Sequence, residues 1–166
     1  MKLYKEFRID KRFNLHPLFV EPKTIIPMGV WLKATPGPRN AAGKVISKLG
    51  GLSFRPGWHL VVIPYAPHIG IRENGKIKYI HDDCVWCECE ISEEIDYTEL
   101  ARSMKRKSLD YVPENGFYWF TTNPNAEVEW LIAGMMKVNR ILPDDEVAQL
   151  CAEKGYVAQP RRRKIA

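Results

Sequence analysis

Two glutamates separated by one residue, Glu127 and Glu129, precede an apolar segment in the last third of the sequence. In an extended strand, side chains two residues apart share a face, so these carboxylates are expected to lie close together. Two neighbouring carboxylates raise the pKa of one member, and the pair can then divide an acid role and an anchoring role. We therefore predict catalytic roles for both, against the alternative of two solvent-facing side chains. Glu88 and Glu90 have the same spacing, and for them the solvent-facing interpretation is favoured.

A second candidate is the segment GLSFRPGWHLVVIPYAPHIG, residues 51–70, which combines prolines and aromatic rings with an arginine and two histidines. Its RPGW portion places the cation of Arg55 and the ring of Trp58 around a rigid turn, which suits a stacked base or a sugar-phosphate. His59 and His68 are candidate acid–base groups or ligands, because an imidazole titrates near neutral pH. The alternative is that Trp58 packs in the core and that the histidines bond to buried backbone groups.

Cysteines raise the question of metal binding, since Cys84, Cys87 and Cys89 lie within six residues and Cys151 stands apart. Structural zinc sites usually draw their ligands from two paired clusters, and the sequence holds one. Strand alternation also sends Cys84 and Cys87 to opposite faces. We therefore expect no metal, and we interpret the thiols as small apolar side chains of a core strand in a reducing compartment. The alternative is a metal-stabilised module, which elemental analysis of the purified protein would detect.

The net charge is +5 and is unevenly distributed along the chain. Residues 1–60 carry eleven Lys and Arg against three Asp and Glu, whereas residues 61–100 carry three against nine. The sequence closes on QPRRRKIA, so we predict one globular domain over 1–158 and a basic tail over 159–166. This distribution indicates an anionic partner such as a nucleotide or a nucleic acid, and the alternative is a solvated, moderately basic surface.

Size and composition are typical of one globular domain, with 166 residues, 45% hydrophobic and 27% charged. No apolar run approaches the roughly 20 residues of a membrane-spanning helix, and the N-terminus lacks the apolar core of a signal peptide. We therefore predict a cytoplasmic protein without a membrane partner.

Short strands must position these candidate residues. One strand is predicted over KLYKEFRI, another over Trp58–Ile63, and a hairpin around Asn74-Gly75, a pair that tolerates the positive φ of a type I′ turn. DCVWCECEIS alternates between two kinds of side chain, as a half-buried strand does. A further strand is predicted over NGFYWFTTN, and the segment around Ala133-Gly134 is predicted to form two strands or one bent strand.

Two or three small helices complete the pattern. A short helix is predicted over Ala41–Leu49, ended by the glycine pair that follows, and residues 92–112 begin acidic and end basic, as a helix dipole favours. The clearest helix covers PDDEVAQLCAEKGY, with Asp144 as its N-cap and Gly155 at its end. Because the elements show no regular β-α-β alternation, we predict an α+β fold with a mostly antiparallel, strongly twisted sheet of short strands.

Most of the chain resembles a family of proteins from phages and mobile elements of gut bacteria. The resemblance is carried by RPGWHL, PYAPHIG, VWCECEI, NGFYWFTTNP and EWLIAGMMKVNRIL. It implies a phage or mobile-element context and no particular chemistry.

Three shorter segments resemble the ADP-ribosyltransferase-like fold, which includes RNA 2′-phosphotransferases. LYKEFR offers a basic residue of the first strand, Arg8. GLSFRPGWHL offers Ser53, Arg55 and His59 at the start of a middle strand. NAEVEWLIAG offers a Glu-x-Glu sequence before an apolar strand. The resemblance therefore implies an ADP-ribosyltransferase-like sheet.

The same resemblance implies NAD as the cofactor and assigns roles. Arg8 would hold the pyrophosphate, Glu129 would bind the ribose 2′-hydroxyl and stabilise an oxocarbenium-like state, and Glu127 would activate the acceptor. The predicted catalytic residues are Glu129, Glu127 and His59, and the predicted substrate-binding residues are Arg8, Ser53, Arg55 and Trp58.

Two functions follow from these observations. The first is a nucleotide- or NAD-binding protein, an ADP-ribosyl- or phosphotransferase. The alternative is a non-catalytic phage or mobile-element protein that binds nucleic acid or a host protein through its basic surface, with a counter-defence role. Phosphate contacts make nucleic-acid binding steeply salt-dependent, so a binding assay at two salt concentrations separates the alternatives.

Overall fold

The computed structural model describes residues 1–120 and 127–162 of the chain. The strands are β1 (Leu3–Ile9), β2 (Leu15–His16), β3 (Trp31–Lys33), β4 (Val45–Ser47), β5 (Gly50–Leu52), β6 (Trp58–Val61), β7 (Ile71–Glu73), β8 (Lys76–Tyr79), β9 (Cys84–Ile91), β10 (Ile95–Asp96), β11 (Gly116–Phe120), β12 (Trp130–Ala133) and β13 (Met135–Ile141). The helices are α1 (Thr98–Ser103) and α2 (Asp144–Ala152). No helix in this part of the chain is long and apolar enough to cross a membrane.

Nine strands form the main sheet in the order β10-β11-β12-β6-β1-β9-β13-β3, with β2 added beside β1. Every pair in it is antiparallel except β10 with β11. Two hairpins, β4-β5 and β7-β8, stand apart from it. The predicted α+β class with a mostly antiparallel arrangement of short strands is confirmed.

The register of β1 with β9 defines the two faces of the sheet. Leu3 lies opposite Cys89 and Phe7 opposite Val85, and these side chains form part of the largest apolar cluster. We call this the inner face. The alternate residues of β1 lie on the outer face, where Glu6 is opposite Trp86.

A single residue, Gly134, joins β12 to β13, although these strands are four positions apart in the sheet. Four inter-strand spacings amount to about 19 Å, whereas one linking residue spans at most about 7 Å. The sheet must therefore curl until β12 and β13 meet, and this encloses the inner face. A hydrogen bond across the enclosed space agrees with this, since Trp58 Nε1 of β6 donates to the Leu32 carbonyl of β3 at 2.9 Å.

Gly134 can be tested because a side chain there has no space. An ideal Cβ at this position would lie 2.0 Å from the Pro113 carbonyl oxygen. We expect Gly134→Ala to lower the free energy of unfolding by about 2 to 3 kcal/mol, as overpacking does, in urea unfolding followed by circular dichroism. Asn139→Ala, at an exposed position of β13, is the control, and an equally small loss in both variants would contradict the close approach of Gly134 to Pro113.

Two separate clusters cover the outer face. One lies over β1 and β9 and includes Tyr4 and Trp86 packed against Val147 and Cys151 of α2. The other lies over β11 and β12 and joins their side chains to Ala101 of α1 and to the segment that follows it. The outer face therefore has an α2 side and an α1 side.

Several local predictions are confirmed. The first strand, the two strands around Gly134 and the last helix are present. Asn74 and Gly75 form the hairpin turn with φ of 50° and 79°. The strand predicted over NGFYWFTTN is described as far as Phe120, and its last three residues lie outside the described residues.

The helix predicted over Ala41–Leu49 is wrong, because this segment lies in the β4-β5 hairpin. The Asn40 side chain accepts hydrogen bonds from the Ala42 and Lys44 amides, and this fixes a turn where a helix would begin. Gly43, inside the predicted helix, has a φ of 76°, which a right-handed helix cannot contain.

Two helix boundaries also differ from the prediction. Pro143 occupies the N-cap of α2, and Asp144 is the first helical residue without a capping hydrogen bond from its side chain. Within residues 92–112 the helix covers only Thr98–Ser103, where the Asp96 carboxylate accepts the Thr98 amide at 2.8 Å. Local side-chain bonding thus starts this helix later than the charge pattern indicated.

Candidate phosphate-binding surface

Three arginines converge on the segment Phe54-Arg55. The Arg39 guanidinium lies 4.2 Å from the centroid of the Phe54 ring. Arg106 Nη2 donates to the Phe54 carbonyl oxygen at 3.3 Å, and the Arg55 guanidinium lies 4.8 Å from the centroid of the Phe120 ring. We call Arg39, Arg55 and Arg106 the arginine surface.

Each arginine is positioned by a different element. Arg39 pairs with Val45 at the base of the β4-β5 hairpin, and Arg106 follows α1. Arg55 is held by the turn before β6, where Gly57 has φ of 124° and a Cβ would lie 2.2 Å from Ile132 Cγ2. The turn therefore requires glycine, and this close approach directs Arg55 toward the ring of β11.

Charge on this surface is not neutralised. Within residues 1–120 and 127–162, none of the three arginines forms an ion pair with a carboxylate. Arg102, Lys105 and Lys107 add exposed cations next to Arg106 in the run RSMKRK, and these also have no carboxylate partner in the same ranges. Guanidinium groups that lie over aromatic rings keep N–H edges for planar, bidentate contacts with phosphate. The surface is therefore suited to binding a phosphate ester.

His59 supports this surface from below. Its Nε2 lies 2.9 Å from the Arg55 carbonyl oxygen, to which it donates, and its ring centroid is 5.3 Å from that of Trp130. Burial lowers the pKa of His59 to about 4, and the neighbouring Lys5 cation adds to the effect. The imidazole is thus uncharged at neutral pH, and in this structure it anchors the loop that carries Arg55.

Trp58 and Ser53 differ in their surroundings. The Trp58 ring lies on the inner face, where it packs against the main apolar cluster and bonds to the Leu32 carbonyl. This geometry agrees with the alternative interpretation of Trp58 as a core ring. Ser53 is half-buried directly before Phe54 and therefore lies beside the arginine surface.

The two predicted catalytic glutamates are both exposed and precede β12. The Glu127 carbonyl accepts a hydrogen bond from the Tyr156 hydroxyl at 2.8 Å, and the Glu129 carbonyl accepts the Val62 amide at 3.3 Å. Glu129 directly precedes Trp130, whose ring contacts those of His59 and Phe120. Because consecutive residues of an extended chain point to opposite faces, this adjacency does not place the Glu129 carboxylate against the ring system beneath the arginine surface.

Arg8 lies away from Glu129. Its Nη2 donates to the Pro22 carbonyl at 2.7 Å, on the side of β1 that pairs with β2. Because Tyr4 is opposite Val61, Glu129 stands near the level of Leu3, five residues from Arg8 and so about 16 Å along the strand direction. The structure therefore brings Ser53, Arg55 and His59 together and leaves Arg8 outside that group.

The cysteines show the predicted alternation. Cys87 and Cys89 lie on the inner face, whereas Cys84 lies on the outer face, and all are free and buried. Burial raises the pKa of each of these thiols, which keeps them protonated at neutral pH. Among the residues that the structure describes, no three metal-ligating side chains come together.

Two members of the arginine surface were not predicted. Arg39 stands in a proline-rich loop, and Arg106 was interpreted only as part of a basic helix end. The run RSMKRK was a usable signal, because it places four cations within six residues without an acidic residue among them. The approach of Arg39 to Phe54 depends on tertiary structure and had no counterpart in sequence spacing.

Comparison with known proteins gives no family for this chain. No protein-family model matches it, and no curated protein and no solved structure shows a significant match.

Proposed function

We propose that this chain binds the phosphate groups of a nucleotide or of a nucleic-acid strand on the arginine surface. The observation that carries the proposal is the convergence of three guanidiniums, without carboxylate partners in the described ranges, around Phe54 and Phe120. Opposite charge and charge-assisted hydrogen bonds together favour an anion there.

The run RSMKRK favours an extended ligand. Its three cations other than Arg106 continue the arginine surface beyond the area that one nucleotide covers, and a strand of nucleic acid offers one phosphate per nucleotide to such a surface. A free nucleotide would contact the three arginines only. The length dependence of binding therefore separates these two sources of phosphate.

The transfer of ADP-ribose stays a prediction that builds on the same site. It requires Glu129 to reach a ligand held by Arg55, and Glu129 directly precedes β12, the strand whose Trp130 ring contacts His59. Release of nicotinamide from NAD, absent in Glu129→Gln, would support the transferase; NAD binding without release, or no NAD binding at all, would leave the non-catalytic alternative.

Replacing Arg39, Arg55 and Arg106 together by glutamine tests the binding surface. For a labelled single strand of about 20 nucleotides at about 50 mM salt, we expect affinity to fall about 100-fold, measured by fluorescence anisotropy. The slope of log affinity against log salt concentration should become shallower by about 2, since each lost phosphate contact to a single strand contributes about 0.7. The same affinity measurement with mononucleotides, NAD and ADP-ribose tests whether a single nucleotide is enough for binding.

A matched control carries the same change in charge at three residues outside the arginine surface. Arg72 and Lys76 belong to the β7-β8 hairpin and Lys154 follows α2, and all three are exposed. Their glutamine triple variant should retain most of the affinity. Equal losses in both variants, or no binding of any phosphate ligand by the wild-type protein, would contradict the proposal.

A further inference from the structure

A cavity of about 190 Å³ lies on the α2 side of the outer face. It is bounded by β1 and β9, by α2 and by the segment from Ala158 to Arg161. The arginine surface belongs to the α1 side, so the cavity is a separate feature. Its walls are mostly apolar and include Trp86, Ile80 and Val147.

Glu6 supplies the buried carboxyl group of this cavity. The residue is 5% exposed, and within the described part of the chain neither carboxyl oxygen has a hydrogen-bond partner. Buried polar groups in proteins are almost always hydrogen-bonded, and a buried acceptor without a donor lowers stability. The neighbouring Cys84 thiol, which donates to Asp83 Oδ1 at 3.8 Å, is only a weak donor beside Glu6, so both Glu6 oxygens can accept hydrogen bonds from a ligand that enters the cavity.

The nearby cation does not neutralise Glu6. Arg161 pairs with the Asp144 carboxylate at 2.8 Å and donates to the carbonyls of Asp82 and Cys84. Burial raises the pKa of Glu6 to about 7, and the Cys84 thiol and the Arg161 cation oppose that rise only in part. Glu6 is thus poised between its neutral and ionised forms near neutral pH.

We propose that this cavity is a binding site for a small planar ligand with two adjacent N–H donors, an amidine or an amino-substituted heterocycle. Two carboxylate oxygens accept two parallel N–H groups, which is the geometry that such ligands present. A cavity of about 150 Å³ accommodates benzene, so one slightly larger accommodates a single substituted ring. The Trp86 side chain provides an aromatic wall for the ring.

Protonation distinguishes this site from a merely apolar cavity. The ligand binds the ionised carboxyl group, so affinity rises as pH increases through the pKa of Glu6. The other charged or titratable groups near the carboxyl are Lys5 of β1, Asp83 before β9, Cys84 of β9, Asp144 of α2 and Arg161. Asp144 and Arg161 neutralise each other, and the Cys84 thiol stays protonated, so Glu6 dominates the pH dependence.

Benzamidine, with 2-aminopyridine as a second probe, tests the site by isothermal titration calorimetry. We expect benzamidine, which stays protonated throughout, to bind the wild-type protein saturably and about 30-fold more weakly at pH 5.5 than at pH 8, since ionisation of Glu6 limits it. 2-Aminopyridine itself takes up a proton near neutral pH, so it tests binding and not the pH dependence. The arginine-surface variant should bind benzamidine as well as the wild type, which separates this site from the proposed function.

Two variants complete the test. Glu6→Gln keeps the shape of the side chain and removes its charge, and Ala148→Phe places a ring at the wall of the cavity without altering Glu6. Loss of benzamidine binding in both, with thermal unfolding still cooperative, supports the site. Unchanged affinity in Glu6→Gln, affinity independent of pH, or no binding of either probe to the wild-type protein overturns it.

Discussion

Glu6→Gln is expected to raise the free energy of unfolding by about 3 kcal/mol more at pH 8 than at pH 4.5. The pKa of Glu6 is about 7 in the folded protein and 4.5 for an unperturbed side chain. As pH rises through that interval, the unfolded chain releases a proton that the folded protein retains, so wild-type stability falls. Each pKa unit corresponds to about 1.4 kcal/mol, and the glutamine variant lacks the entire effect.

The measurement is urea unfolding of both proteins across pH 4.5 to 8. The informative quantity is the difference between variant and wild type at each pH, because all other titrating groups cancel in it. Glu21→Gln, at an exposed position, should show a difference close to zero throughout. A constant difference for Glu6→Gln would mean that the folded protein ionises Glu6 as readily as the unfolded chain does.

His59→Gln is expected to have the opposite pH dependence. It should raise the free energy of unfolding by about 3 kcal/mol more at pH 4 than at pH 7. The pKa of His59 is about 4 in the folded protein against 6.5 for an unperturbed imidazole. Below pH 6.5 the unfolded chain therefore takes up a proton that the folded protein excludes, and wild-type stability falls as pH falls. Glutamine retains an N–H donor for the Arg55 carbonyl but cannot titrate.

The same unfolding experiment at pH 4 to 7 checks this expectation. His81→Gln replaces an exposed histidine and serves as the matched control. If His59→Gln and the control respond to pH in the same way, the imidazole is accessible to protons and the proposed support of the Arg55 loop is wrong.

Glu6 and His59 oppose each other in the wild-type protein. Between about pH 4.5 and 6.5, rising pH lowers stability through Glu6 and raises it through His59, by similar amounts. The wild-type stability should therefore vary little with pH in this range, although each single variant shows a steep dependence. The stability of the double variant should again vary little with pH, because the two side chains share no contact.

Strand periodicity made much of the sheet predictable, and the alternation of β9 placed Cys87 and Cys89 on one face and Trp86 on the other. Periodicity did not predict which segments pack over the outer face. Glu6 follows the pattern of a solvent-facing residue, and it is buried by α2 and by residues about 150 positions later in the chain. Only tertiary structure brings these parts together.

In the candidate site, too, the feature set by local residue types was predicted and the arrangement set by the strands was not. The turn at Arg55-Pro56-Gly57 was predicted from local residue types, and the structure confirms a glycine with positive φ there. The predicted grouping of Arg8 with Glu129 depended on how the strands align. Because Tyr4 is opposite Val61, Glu129 lies near the level of Leu3, whereas Arg8 lies farther along β1 beside β2, and no spacing rule indicates this register.

The junction of β12 and β13 at Gly134 has a consequence for biosynthesis. Until residues 130–141 leave the ribosome, β6 and β9 lack their partners β12 and β13, and a nascent chain displays two open strand edges around β1. Open edges pair readily with other chains, and their closure here waits for contacts distant in sequence. Stalled or truncated translation products should accordingly need a holding chaperone, while the completed polypeptide closes both edges with one segment.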